Sequence, residues 1–129
     1  MAGITEQYHG KFKMFVGELD AEHKLGNLAK QVEEFVSVNK VAPKSIGVEY
    51  LEDDKKAVMT VGYRTDEPGY DVSLFVESLG KAPHLTPESL AALESKLSER
   101  AFTHAGIICH ELYVTEDNEF LAVFMAHKA

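Results

Sequence analysis

Glu111 and Tyr113 stand two residues apart in the apolar run Ile107 to Val114, and Glu49 with Tyr50 takes a comparable place in the run Lys44 to Leu51. Side chains two apart on an extended chain share a face. A carboxylate beside a phenol on one sheet face has the components of a small-molecule groove. The ring gives apolar contact, and the carboxylate attracts a cation or accepts a proton. Phe75 and Phe15 alternate in two further runs and are expected to add the aromatic wall, where cation–π attraction would contribute about 0.5–2 kcal/mol per ring. The expected ligand-binding set is therefore Glu111, Tyr113, Glu49, Phe75 and Phe15.

Other constellations carry less. Six histidines suggest a metal site around His104, Cys109, His110 and His127, yet no CxxC or HxxxH spacing occurs, and adjacent Cys109 and His110 point to opposite faces of a strand. The same alternation separates a Cys109 nucleophile from a His110 base. No phosphate-binding glycine loop, dinucleotide fingerprint or nucleophile elbow is present, so neither metal nor organic cofactor is expected. Thirteen Lys and Arg against twenty-one Asp and Glu give a formal charge of -8, which disfavours nucleic acid and favours neutral or cationic partners. No segment is apolar and long enough for a membrane span or a leader, and a single cysteine suits a reducing compartment, so the cytoplasm is the expected location.

The elements that must position these residues follow from periodicity. Gly10 to Gly17 alternates as a strand. After Asp20 as a cap, Leu25, Leu28, Ala29, Val32, Phe35 and Val36 form one helical stripe that ends near Asn39 and Lys40. Lys44 to Leu51 and Lys56 to Arg64 read as a hairpin, closed by the turn Asp66 to Gly69. The order then repeats: a strand over Tyr70 to Leu79, and a helix capped by Thr86 with Pro87 first and Leu90, Leu93, Leu97 and Ala101 as its stripe. A second hairpin follows, from Ile107 to Val114 and Phe120 to His127. The class is α+β, one domain over 1–129. Two βαββ pseudo-repeats, roughly 10–66 and 69–128, are expected to form an antiparallel sheet with both helices on one face. Met14, Val16, Ile46, Val48, Met59, Val61, Val72, Leu74, Ile108, Leu112, Val123 and Met125 are assigned to the helix side. The open side receives Phe15, Glu49, Thr60, Ser73, Phe75, Glu77, Cys109, Glu111, Tyr113, Phe120 and Phe124.

The paired βαββ order, with Glu111-Leu112-Tyr113 on a strand before the acidic turn Thr115 to Glu119 and a closing apolar strand, resembles the gyrase-inhibitor-like family. The resemblance spans roughly Lys11 to Lys128. It implies a ligand groove between the pseudo-symmetric halves, with Glu111 facing the ligand and Tyr113, Phe75 and Phe15 as its wall. Effector-binding domains of multidrug-responsive regulators belong to that family, and with no DNA-binding segment ahead of it such a domain is expected to act through a partner. Some relatives hydrolyse small electrophilic compounds, which would make Glu111 a general base and Tyr113 a donor to developing charge. Three functions are thus carried forward: a stand-alone small-molecule-binding domain, a protein-interaction or inhibitor module, and a cofactor-free hydrolase. Two rival architectures also use these elements, a dimeric ferredoxin-like barrel and paired βαβββ metal-dependent modules. The second needs one more strand in each half.

Overall fold

The computed structural model describes residues 10–18, 25–51 and 55–128. Its elements are β1 (Lys11–Glu18), α1 (Asn27–Asn39), β2 (Ala42–Leu51), β3 (Lys56–Arg64), β4 (Val72–Lys81), α2 (Pro87–Phe102), β5 (Ile107–Val114) and β6 (Glu119–His127). The protein is α+β with two successive βαββ units. In detail, the strands divide into two three-stranded antiparallel ladders, in the orders β1-β3-β2 and β4-β6-β5, where one continuous sheet was expected.

Each helix begins and ends for a local reason. The Thr86 hydroxyl accepts from the Ser89 amide at 3.1 Å, Ser89 Oγ accepts from the Thr86 amide at 2.8 Å, and Pro87 takes the first turn, where its missing N–H costs nothing. Asp20, expected to cap the first helix, lies outside the described residues. Instead α1 starts behind Gly26, at φ 46°, and stops at Lys40 in the left-handed region. Its stripe Leu28, Val32 and Val36 is fully buried.

Both sheets and α1 share one core. Phe15, Ile46, Met59 and Val61 of the first sheet meet Val72, Leu74, Tyr113, Leu121, Val123 and Met125 of the second, around the buried face of α1. On one flank β2 and β5 lie side by side, and on the other α1 packs against the edge strands β1 and β4. The helix satisfies backbone groups on both edges: the Gln31 side chain donates to the Val16 carbonyl at 3.5 Å, and Glu33 Oε2 accepts from the Leu74 amide at 2.8 Å. A second cluster, Leu79, Ala122 and Phe124, lies on the other face of the second sheet under Leu93, Leu97 and Ala101 of α2. Six successive residues of β6, Leu121 to Ala126, are buried because this central strand is covered on both faces.

Two strands face opposite to the sequence assignment. In β1, Phe15 is 8% exposed and packs edge-on against Phe35 with centroids 5.5 Å apart, while Met14, at 65%, and Val16 stand outside. In β5, Tyr113 is a core residue at 5% and Leu112 and Val114 are exposed. Every residue of Phe12 to Val16 except Lys13 is apolar, so hydrophobicity alone does not orient that strand. Phe124, assigned to the open side, is buried because α2 covers it.

The turn between the halves is sterically tight, since a Cβ on Gly69 would overlap the Lys40 carbonyl. Gly69→Ala is expected to destabilise by about 2 kcal/mol or more, because backbone rather than a movable side chain is in the way. Glu33→Ala leaves the Leu74 amide without its acceptor and should cost about 1–3 kcal/mol. Urea melts of the two variants beside wild type test both, with an unchanged m-value expected for each.

Candidate functional site

The antiparallel registers align side chains into rows across the outer face of the first sheet. Phe12, Gly62 and Ser45 form one row, Met14, Thr60 and Gly47 the next, and Val16, Val58 and Glu49 the third. A side chain on Gly62 would collide with the Ser45 hydroxyl and press on the Phe12 ring, which fill the space above it. Above Gly47 the opposite holds, because a Cβ there meets nothing within 4 Å. This missing side chain leaves a depression in the second row.

Across the seam, β5 brings Glu111 to the same depression. An open groove of ≈ 330 Å³ results, lined by Met14, Val48, Val58 and Thr60 with Glu49 from one half and Glu111 from the other. Glu111 Oε1 accepts from the Leu112 amide at 3.0 Å, which restrains its side chain along the strand. Among the described residues, no lysine or arginine lines this groove. Its chemistry is that of two carboxylates over a floor of Met and Val, with one hydroxyl.

Of the five residues proposed from sequence, the structure brings Glu49 and Glu111 together. Phe15 and Tyr113 lie in the core. Phe75 lies on the outer face of the second sheet, beside a different groove. Tyr113, 5% exposed, does not line the groove that Glu111 borders. Sequence reasoning missed Met14, Val58 and Gly47. The signal for Gly47 was a glycine inside an otherwise alternating strand, a mark of close approach or open space.

Cys109 sits beneath the seam. Burial pushes its thiol up to about 11, against the Ile46 backbone amide, which hydrogen-bonds the sulfur and lowers it, while the Glu111 charge raises it further. The thiol is thus neutral at physiological pH and acts as packing, joined to the core cluster. No group of three or more His, Cys, Asp or Glu side chains among the described residues has the arrangement of a metal site. No helix of the described residues is long and apolar enough to cross a membrane.

At pH 8, iodoacetamide is expected to alkylate native Cys109 at least tenfold more slowly than the urea-unfolded chain, since a thiol held near 11 is almost wholly protonated there. Mass-spectrometric time courses measure this directly, and equal rates would show the thiol to be free of its surroundings. Comparison of the chain with known protein families, characterised proteins and solved structures finds no match, so the reading of this site rests on its own geometry.

Proposed function

We propose that the protein is a small-molecule-binding domain whose ligand, an organic cation with an apolar body, lies in the groove between the two βαββ halves. The observation that carries this reading is the convergence of Glu49 and Glu111, one from each half, on the open space above Gly47. A cationic centre between the carboxylates would gain charge-assisted contact, and its apolar part would cover Met14, Val48 and Val58. A groove at the junction of paired βαββ units, with a last-hairpin glutamate in it, also accords with the resemblance to gyrase-inhibitor-like domains. The chain's overall charge of -8 adds long-range attraction for cations. Because the groove is wide and shallow, moderate affinity and tolerance of ligand shape are expected.

The test is isothermal titration with benzyltriethylammonium, using benzyl alcohol as the uncharged comparison. The cation should bind measurably tighter. Glu49→Gln and Glu111→Gln should each weaken it about 5- to 20-fold, corresponding to the loss of one charged contact. Gly47→Leu should fill the groove and abolish binding with the melting temperature retained, since a Cβ there meets no neighbour. Equal binding of the cation and the alcohol, or indifference to all three substitutions, would refute the groove. If charge reversals at Glu49 and Glu111 then removed association with a protein from the same cell, the interaction-module reading would take its place.

A further inference from the structure

On the outer face of the second sheet, the rows of β4, β6 and β5 read Ser73, Ala126, Ile107 and then Phe75, Phe124, His110. His104, just beyond the end of α2, lies over the second row. Its ring stacks on Phe75 at 4.3 Å with 20° between planes and approaches Phe124 at 5.6 Å. Its Nε2 lies 3.0 Å from Glu77 Oε1. An ionised carboxylate only accepts, so the proton belongs on Nε2 and the ring orientation is set. Arg100 Nε also approaches Glu77, at 4.0 Å, so that carboxylate is already engaged by two basic side chains.

The neighbouring row is small. Ser73 and Ala126 leave a depression of ≈ 410 Å³ between the Phe75–His104 stack and the end of β6, where His127 and Lys128 stand. His127 is fixed against Tyr70, with ring centroids 4.5 Å apart, and the Lys128 amide donates to the Asp71 carbonyl at 3.0 Å. His104 is only 14% exposed and rigidly held, whereas Phe75 keeps 38% of its surface open beside the depression.

We propose that this depression is a second, separate binding site that takes small planar aromatic carboxylates. The aromatic ring lies against Phe75 and His104, and the carboxylate reaches Lys128, with the Ser73 hydroxyl as a further donor. Each half of the assignment has its own basis. An exposed ring held by a stacked, hydrogen-bonded histidine is a preformed flat platform, so little ordering is needed on binding. The lining carries Lys128 and no acidic side chain, whereas the groove at the seam carries two carboxylates and no basic one, within a chain of strongly negative charge. The two sites therefore select opposite charges and are reached from different faces of the molecule.

The experiment uses 2-naphthoate as probe, followed by its own fluorescence and by amide chemical-shift changes in ¹⁵N-labelled protein, with 2-naphthol as the uncharged comparison. Saturable binding is expected, with shifts concentrated on Ser73, Phe75, His104 and Lys128. Lys128→Ala, at an exposed position, should weaken 2-naphthoate about 5- to 20-fold while leaving the melting temperature unchanged, and Phe75→Ser should weaken it as much at a lower melting temperature, because the ring it removes is stacked on His104. Glu111→Gln should leave it untouched, which separates this site from the seam groove. Absence of saturation, equal affinity for 2-naphthol, or unchanged binding in the Lys128→Ala and Phe75→Ser variants would each overturn the proposal.

Discussion

The structure depends on the way α1 closes a gap between two sheet edges. Splitting six strands into two ladders leaves β1 and β4 with unpaired backbone groups facing one another, and an edge buried without partners is costly. The helix packs against both and gives each a side-chain hydrogen bond. Gln31 donates to β1 and Glu33 accepts from β4, while Leu28, Val32 and Val36 on the inner face of the same helix fill the shared core. One short element thus serves both the polar edges and the apolar interior, and through Glu33 it ties the first half to β4 of the second.

With that flank closed, the opposite flank is constrained to bring β2 and β5 together. The seam has no backbone ladder of its own and is filled by side chains, including Cys109 against the Ile46 amide. A neutral, buried thiol suits that position because it packs like a small apolar group while still accepting a weak hydrogen bond. Where the packing reaches the surface, Gly47 provides no side chain and Glu49 and Glu111 border the space left over. The groove is a consequence of how the halves join, and neither half contains it alone.

The two sheets differ on their outer faces. The second carries α2, whose leucines cover Ala122 and Phe124, whereas the first leaves Phe12, Met14 and Val16 facing solvent. Coverage by α2 is partial, since none of its residues is fully buried. The loop after the helix turns down beside β4, and the His104 contact with Glu77 and Phe75 pins it there. The groove at the seam is lined by two carboxylates and the depression beside β6 by Lys128, because each draws on a different set of strands.

The amino-acid sequence by itself determined the order and kind of the elements. Alternation over Lys44 to Leu51 and Lys56 to Arg64, the stripe Leu28, Val32 and Val36, and the Thr86-Pro87 start are local patterns, readable because backbone periodicity and capping act over a few residues. The tertiary structure alone decided which way β1 and β5 face. A period of two is unchanged by a one-residue slip, so Phe15 against Met14 and Tyr113 against Leu112 could be ranked only by the partners each would meet, Phe35 among them. The same limit explains the sites. Glu49 and Glu111 were legible as carboxylates on hairpin strands, but their convergence, and the separation of Phe75 from them, depends on contacts between residues far apart in the chain, and no local pattern encodes those.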